Sequence, residues 1–410
     1  MQRIEKARDV IGVAFIEYSM LTACEAVAVE PEFSEWKTLV GPSKGEVFGK
    51  NISAWQHEFR LANNLPLDTP LLMVGHQPTF FHPGILAKFI AAARLAKQVD
   101  GVVVFLVVDH HIGSAGTIET CKESGHLSIQ REDIADVDAS IAMQDQPRVH
   151  TYGIEPFASA LAKAQGENAA MQFANAIVEC MKPYATVDFV LPGSALLASS
   201  FGKAMLEDMF THSDACIHAY NAAVEHYPEA GISVLGETEL PLWQGASNEK
   251  FNMGDEENRP RALTLTLLAR LLSCDLFIHG SGGYAYDNCM EMWCREWLRV
   301  EPSSKVMASA TLRLPLHFQS WAEARREYFS PQLDSETKEK YLRAIEESPY
   351  GSPQRKVHFQ EMRRWLDSIQ EFLDKDAYME DARIAAKREW AFPLYSTEQL
   401  HNLVSEINTL

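Results

Sequence analysis

Two apolar runs, each ending in a polar loop, constrain the fold of this chain more than any other feature. Residues 71–74 form the first run, residues 102–108 form the second, and a helix-period pattern over residues 85–97 joins them. The second run is rich in valine and almost continuously apolar, as expected of a strand that is covered on both faces. Strand, helix and strand in this order predict a parallel βαβ unit, and therefore an α/β fold.

The loops that follow these two strands carry much of the polar chemistry. Parallel strands end at the same edge of a sheet, where open α/β folds bind ligands. A Pro-Gly helix start with a lysine one turn inside favours an anion, and histidine can carry a proton near neutral pH. The candidate residues of the two loops are Gly75, His76, Gln77, His82, Gly84, Lys88, Asp109, His110 and His111.

From these loops we predict an anion-binding crevice, with His76, His82, Asp109 and His110 as its catalytic residues. The start of the helix would hold the anion together with Lys88. Either His76 or His110 would act as the base, and Asp109 would orient that histidine. A structural alternative stays open, in which the histidines are core residues whose ring nitrogens are hydrogen-bonded within the protein, and Lys88 is exposed to solvent.

A glycine-rich loop follows a further predicted buried strand, residues 275–278, and supplies more candidates. Its glycines would let the backbone wrap around a ligand, or would simply form a tight turn. The loop lacks the Gly-Lys-[Ser/Thr] end of a P-loop, so that type of phosphate site is excluded. The ligand-binding candidates here are His279, Gly280, Gly282, Gly283, Tyr286 and Asp287.

Three charged residues outside these loops are also candidates for ligand binding. Glu239 and Arg261 lie in an irregular polar segment that also contains Trp243 and Arg259, and such groups can hold an anionic or sugar-like substrate. An ordinary surface loop is an equal alternative. Arg313 lies within an apolar run, which predicts a buried guanidinium that pairs with a carboxylate or with a bound anion.

A metal-dependent hydrolase or phosphoesterase is the alternative function that these residue types leave open. Its divalent metal would be held by His76, His82, Asp109 and His110. The Asp-His-His run at residues 109–111 resembles that of the DHH phosphoesterases, although their earlier metal-binding motif does not precede it here. Elemental analysis of the purified protein separates this alternative from the others.

Composition narrows the class of partner. The net charge of −19, with no run of Lys and Arg, argues against nucleic-acid binding. The seven scattered cysteines form no Cys-x-x-Cys pair, which predicts reduced thiols and no cysteine zinc site. The first residues lack the apolar core of a signal peptide, and no stretch has the roughly 18 apolar residues of a membrane helix. We therefore expect a cytoplasmic protein without a membrane partner.

Changes of pattern along the chain predict its organisation. We expect a helical N-terminal layer over residues 1–69 and an α/β core over residues 70–317, with an insertion around residues 120–260. Strongly charged helical patterns over residues 318–390 predict a helical hairpin, long enough for a coiled-coil arm and a homodimer surface. Residues 391–410 would pack on the core.

The order of these motifs resembles that of the bacillithiol-synthesis cysteine-adding enzymes. That family has a glycine-glutamine turn with a following lysine, a strand ending in an Asp-His pair, a later Gly-Gly loop with a tyrosine, and a C-terminal coiled coil. The matching residues here are Gly75, Gln77, Gly84, Lys88, Asp109, His110, Gly282, Gly283 and Tyr286. The chain is also similar to uncharacterised bacterial proteins with a Gly-His-Gln-Pro…Phe-His-Pro-Gly motif.

A more distant likeness is to the HUP-type nucleotide-binding folds of class I aminoacyl-tRNA synthetases and nucleotidylyltransferases. Their His-x-Gly-His motif lies at the first strand–helix turn, where this chain has residues 82–85 without the second histidine. These resemblances imply a Rossmann-like parallel sheet, a nucleotide such as ATP or ADP or a sugar acid as ligand, and a dimer through the arm. Whether ATP is consumed stays open.

The function that these resemblances imply is that of a ligase. It would join the amine of an amino acid, such as cysteine, to a small sugar-acid or similar acceptor. A third hypothesis stays beside the ligase and the hydrolase: a non-catalytic protein that binds a ligand, or a partner through its acidic helical arm.

Overall fold

The structure is a computed structural model that describes residues 26–244, 249–252, 258–332, 335–370 and 374–410. The expected N-terminal layer of residues 1–69 therefore lies partly outside the described residues. Within them, no helix has the length and the apolar character needed to cross a bilayer.

Strands and helices alternate along most of the chain. The strands are β1 (Ala26–Glu30), β2 (Glu46–Val47), β3 (Lys50–Asn51), β4 (Leu71–His76), β5 (Val102–Val107), β6 (Thr117–Ser124), β7 (His126–Asp133), β8 (Phe189–Pro192), β9 (Glu239–Gln244), β10 (Glu249–Asn252), β11 (Asn258–Pro260), β12 (Leu276–His279) and β13 (Ser304–Thr311). The helices are α1 (Phe33–Leu39), α2 (Ile52–Ala62), α3 (Pro83–Val99), α4 (Phe157–Lys163), α5 (Ala169–Met181), α6 (Ser194–Ala198), α7 (Ser200–Thr211), α8 (Ser213–His226), α9 (Ala262–Leu272), α10 (Ser281–Trp297), α11 (Trp321–Gln332), α12 (Ser335–Glu347), α13 (Pro353–Gln370), α14 (Lys375–Ala386) and α15 (Thr397–Thr409).

The central sheet is mostly parallel, and its strand order is β1-β13-β12-β4-β5-β8. All neighbouring pairs from β13 to β8 are parallel, whereas β1 lies antiparallel at the edge beside β13. The chain runs from β4 outward to β5 and β8, and then returns to add β12 and β13 on the other side of β4. The fold is therefore mixed α/β, and its strand order reverses between β4 and β12, which is where doubly wound sheets form a binding crevice.

Helices cover both faces of the central sheet, which explains the continuously apolar strands. Alternate residues of β4 enter different cores: Leu72 and Val74 join the core on one face, and Leu71 and Met73 join the core on the other. Residues of α3, α5 and α15 belong to the first core, and residues of α8, α9 and α10 belong to the second. A strand buried on both sides has no position for a polar side chain until it ends.

The segment after β5 forms a β-hairpin. Strands β6 and β7 pair in antiparallel register around Gly125, whose φ of +81° is the left-handed conformation that glycine adopts at low cost. Helix α14 packs on this hairpin, where the carboxylate of Asp381 accepts hydrogen bonds from the backbone N–H of Leu127 (2.7 Å) and from the ring of His126 (2.7 Å).

The charged region that predicted a long helical hairpin contains shorter helices. Helices α12 and α13 pack on each other, with the rings of Tyr341 and Trp365 5.6 Å apart. Helix α14 contacts the β6–β7 hairpin, as described above, so the second half of the expected arm lies against the rest of the protein. The coiled coil and the homodimer stay predictions. Helix α15 packs on α3.

Candidate functional site

A cavity of about 520 Å³ opens where the strand order reverses, at the carboxyl ends of β4, β5 and β12. The sheet brings together there three polar loops that begin at Gly75, Asp109 and His279 in the sequence. The predicted site residues on its wall are Gly75, His76, Gln77, His82, Lys88, His110, His111, His279, Gly280, Gly282, Gly283 and Tyr286.

The wall of the cavity is basic, although the protein as a whole is acidic. It carries five histidines, at positions 76, 82, 110, 111 and 279, together with Lys88 and Arg388. In the described part of the chain, no Asp or Glu side chain is among those that line it. Although the whole chain has a net charge of −19, Lys88 and Arg388 supply positive charge at this wall and the histidine rings can donate hydrogen bonds, so an anion is favoured here.

His82 fixes the start of α3. Its Nδ1 accepts a hydrogen bond from the backbone N–H of Gly84 (3.1 Å), so the neutral ring carries its proton on Nε2. A side chain at position 84 would place its Cβ 2.7 Å from the carbonyl oxygen of Ala310, which requires glycine. Burial lowers the pKa of His82 and the positive charge of Arg388 adds to the effect.

The expected anion site at the start of α3 is therefore not formed as predicted. The N–H of Gly84 is occupied by His82, the N–H of Ile85 bonds the carbonyl of His82 (2.9 Å), and Gly84 does not line the cavity. A histidine cap satisfies the backbone groups that an anion would otherwise use.

Lys88 is a buried cation on the cavity wall. Its side chain is 4% exposed, and its Nζ donates a hydrogen bond to the carbonyl oxygen of Gly75 (2.9 Å). None of the described carboxylates forms an ion pair with it. Burial lowers the pKa of Lys88 to about 7, because the apolar surroundings penalise the charged amine.

His76 is a neutral imidazole at the end of β4. Its Nδ1 lies 3.0 Å from the carbonyl oxygen of Gln77, which can only accept, so Nδ1 carries the proton and Nε2 is the acceptor. Burial and the nearby Lys88 lower the pKa of His76 to about 3, although the bond to Gln77 opposes them. Its ring packs edge-on against Phe81, at 5.0 Å between centroids.

His279, at the end of β12, is held from behind by a buried charge network. Its Nε2 lies 3.1 Å from Oδ2 of Asp287, which also forms an ion pair with Arg270. Burial lowers the pKa of His279, and Asp287 offsets this only in part. Burial alone would raise the pKa of Asp287, but His279 and Arg270 outweigh it, so this carboxylate has a lowered pKa and is ionised. Asp287 thus supports the wall instead of lining it.

The first turn of α10, whose backbone N–H groups have no partner within the helix, forms part of the cavity wall. Ser281, Gly282 and Gly283 line the wall, and Gly280 at the N-cap has no side chain with which to bond them. The positive end of the helix dipole favours an anion here. The glycine-rich loop that we predicted as a wrapping loop is therefore mostly the start of this helix.

Asp109 lies beside the cavity but does not line it. Its Oδ1 accepts a hydrogen bond from the backbone N–H of Ser194 (3.0 Å), and its Oδ2 accepts one from the Ser194 hydroxyl (2.5 Å). The ring of His110 is 3.7 Å away, too far for a hydrogen bond. Asp109 thus joins the end of β5 to the start of α6.

The remaining charged candidates also lie off the wall. Arg261 bonds Glu239 (2.8 Å) and the carbonyl of Leu242 (3.0 Å), and its guanidinium lies 4.5 Å from the ring centre of Trp243. Trp243 does line the cavity, so this pair supports one of its walls. The prediction of a buried Arg313 is wrong: the side chain is part-exposed and donates to the carbonyl of Ala386 (3.1 Å).

The alternative metal set is not assembled. Among the residues that the structure describes, no group of three or more His, Cys, Asp and Glu side chains is placed to hold a metal ion. In particular, Asp109 is engaged by Ser194, so His76, His82, Asp109 and His110 do not form the predicted metal site.

Sequence reasoning missed several wall residues. Arg388 reaches the wall from the segment after α14, where it also contacts the hydroxyl of Thr311 (3.3 Å). Ser309 comes from β13, and Ser281 from the first turn of α10. Only Ser281 carried a usable signal, since it lies within the glycine-rich loop.

Comparison with known proteins leaves the family open. No protein-family model matches the chain. No curated protein matches it. A solved structure that it resembles is that of the tryptophanyl-tRNA synthetase of Plasmodium falciparum, with a TM-score of 0.29 and 10% identity over 82% of this chain and 80% of that chain. A TM-score this low does not establish a common fold, and no family match supports the likeness to the bacillithiol enzymes.

Proposed function

We propose that this protein is an enzyme that binds an anionic small molecule in the basic cavity and joins an amine to a carbon atom of it, so that the new C–N bond replaces a C–O bond and the oxygen group leaves. The core would be Rossmann-like, of the HUP type. One observation carries the proposal. In an acidic chain, the cavity at the reversal of the strand order is lined by Lys88, Arg388 and five histidines. No Asp or Glu side chain of the described residues lines it, although Asp287 and Glu389 form ion pairs with His279 and Arg388 from outside the lining.

The anionic group of the ligand would lie between Lys88 and the first turn of α10. Lys88 supplies a cation that has no acidic partner among the described residues, and Ser281 to Gly283 supply backbone N–H groups at the positive end of a helix. A phosphate or a carboxylate fits both, which agrees with the nucleotide or sugar acid that the family resemblances implied. Binding such a ligand would restore the charge of Lys88 by raising its pKa.

The proton of the amine needs an acceptor on the same wall. His76 is poorly suited, because an imidazole with a pKa of about 3 is a weak base near neutral pH. His110 is buried on the wall, and its Nδ1 forms no hydrogen bond with any described residue. We assign the role of base to His110, and the role of neutral hydrogen-bonding groups to His76 and His82.

The anion site is tested by calorimetry with pyrophosphate, ATP, ADP and 6-phosphogluconate. At pH 8 Lys88 is mostly neutral, so binding should take up a proton, and the measured enthalpy should change between Tris and phosphate-free HEPES buffers. Lys88→Met should weaken binding at least tenfold and abolish proton uptake. Lys97→Met, which removes an exposed lysine from the same helix, is the matched control and should bind normally.

Equal affinity in Lys88→Met and Lys97→Met, for every ligand tested, would remove the anion site and the proposed enzyme with it. Binding without turnover of any amine would leave the non-catalytic ligand-binding protein. The cytoplasmic location and the homodimer through the helical arm are further proposals, and light scattering of the full chain tests the second.

A further inference from the structure

A second, smaller cavity lies on the other side of His110. It has a volume of about 260 Å³, and it shares His110 and Pro260 with the basic cavity. We propose that it binds an α-amino acid, with the carboxylate on Arg259 and the ammonium group facing Gln144 and Asn258. This inference rests on the proposed function, because it names the site of the amine substrate.

Arg259 is the main reason for the proposal. Its side chain is 6% exposed, and neither Nη1 nor Nη2 has a hydrogen-bond partner among the described residues. A buried guanidinium is costly without a partner, and its two terminal nitrogens form a fork that matches a carboxylate. A bound carboxylate would supply the missing partner.

The other residues of this region that have orphaned polar atoms line the same cavity. Oε1 of Gln144 and Oδ1 of Asn258 are buried acceptors without a donor, and Nδ1 of His110 also lacks a partner in the described chain. Buried polar atoms without partners are rare, so their concentration around one small cavity indicates a ligand that donates hydrogen bonds there. A simple anion satisfies Arg259 but leaves the two amide oxygens without donors.

An α-amino acid has both kinds of group at a fixed short separation. Its carboxylate matches the cationic fork, and its ammonium group can donate to the two amide oxygens. The apolar side chains of Leu197, Ala198 and Leu206 complete the wall and suit a small side chain of the ligand. Lys203 is exposed at the same cavity and adds positive charge near its mouth.

The position of the cavity suits the reaction proposed above. His110 belongs to the walls of both cavities, so it separates the amino acid from the anionic acceptor. Its imidazole could accept one proton from the ammonium group, which leaves a neutral amine with a lone pair facing the acceptor. Proton count is conserved: the amine loses the proton that the imidazole gains.

The test is calorimetry with L-cysteine, L-serine and L-alanine, and with acetate and methylamine, which carry only one of the two groups. At least one amino acid should bind tenfold more tightly than either fragment. Arg259→Gln should lose that binding, whereas Arg131→Gln, a control at an exposed position of β7, should keep it. Gln144→Leu should weaken the binding of the amino acid and leave that of acetate unchanged.

A stability measurement separates a ligand site from a structural arginine. If Arg259 serves a ligand, Arg259→Met should not lower the melting temperature of the ligand-free protein, because it removes an unpaired buried charge. Two results together would overturn the proposal: a large fall in the melting temperature of Arg259→Met, and unchanged amino-acid binding by Gln144→Leu. So would amino-acid binding that is no tighter than that of acetate, which would indicate a simple anion site.

Failure of this site and failure of the basic cavity are distinguishable. Lys88→Met should leave amino-acid binding intact, and Arg259→Gln should leave the binding of pyrophosphate intact. Loss of both ligands in either variant would show that the two cavities are not independent sites, and would overturn the assignment of the amino acid to the smaller one.

Discussion

Lys88 shows how a single side chain can link stability to binding. Its ammonium is buried on the wall of the basic cavity with only the carbonyl of Gly75 as a described partner. A buried ammonium without a counter-ion lowers the free energy of unfolding when no ligand is bound. A bound anion would pair with the charge and remove this cost, so the position is favourable only in the bound protein. His82 combines two roles in the same way, since one nitrogen caps α3 while the other is left to carry the proton.

The cost of burying Lys88 predicts a pH-dependent stability. Its folded pKa of about 7 lies below the ordinary value, so the cost is fully present below pH 7 and disappears as the pH rises toward the unfolded pKa. Lys88→Met should therefore stabilise the ligand-free protein at pH 6, by on the order of 1.4 kcal/mol for each unit of pKa shift. The gain should shrink by pH 9.5 in urea unfolding. A constant difference at both pH values would contradict the burial of the charge.

Two substitutions at His82 distinguish its role as the N-cap of α3 from a role in binding the ligand. Asparagine is a good N-cap, whereas alanine is not, so His82→Ala should lower the free energy of unfolding by about 1 kcal/mol and His82→Asn by less. Both should weaken pyrophosphate binding if the imidazole faces the ligand. Normal binding by His82→Asn in calorimetry would limit His82 to capping.

At the scale of elements, the first turn of α10 determines the geometry of one wall. Gly282 and Gly283 are adjacent there, but their surroundings differ. A Cβ at position 283 would lie 2.6 Å from Nδ1 of His279, whereas a Cβ at position 282 would meet nothing within 4 Å. The ring of His279 cannot move freely, because Asp287 holds its other nitrogen.

This contrast makes Gly283→Ala and Gly282→Ala a matched pair. Gly283→Ala should displace His279, lower the melting temperature and weaken ligand binding several-fold. Gly282→Ala should leave stability unchanged or slightly raised, because alanine is the better helix former. Thermal unfolding and calorimetry of both variants check this. Equal effects on binding would mean that the position of His279 does not matter.

At the scale of the whole molecule, the sheet joins two cores into one unit. Phe105 and Leu106 are neighbours on β5, yet Phe105 belongs to the core on one face and Leu106 to the core on the other. The strands between the cores are shared, so loss of either core should unfold the same sheet.

Alanine substitutions at these two positions test that coupling. Each should shift one common unfolding transition, with Phe105→Ala costing about 3–5 kcal/mol and Leu106→Ala about 2–5 kcal/mol. Calorimetry and far-UV circular dichroism should report the same midpoint for each variant. Two separate transitions, of which each variant shifts only one, would show that the faces unfold independently.

Much of this protein follows from local sequence pattern. The apolar runs predicted strands covered on both faces, and the polar residues after each run predicted a crevice at the sheet edge. These features are local, because a strand buried on both sides admits polar residues only beyond its end. The gathering of the His76, His110 and His279 loops also follows once the strands are taken as parallel.

Tertiary structure alone decided which groups are available to a ligand. From the sequence, Asp109 and Asp287 were candidates for the site on the same grounds as His110 and His279. In the structure, the carboxylate of Asp109 is hydrogen-bonded by Ser194, and that of Asp287 is bonded by His279 and Arg270. For Arg259 and Arg313 the pattern gave the opposite of what the structure shows. Arg313, in the apolar run, is part-exposed, whereas Arg259, in the polar segment, is buried and its two terminal nitrogens have no hydrogen-bond partner among the described residues. Hydrogen-bond partners come from distant parts of the chain, so a one-dimensional pattern can place a side chain near a site but cannot determine whether its polar atoms are already satisfied.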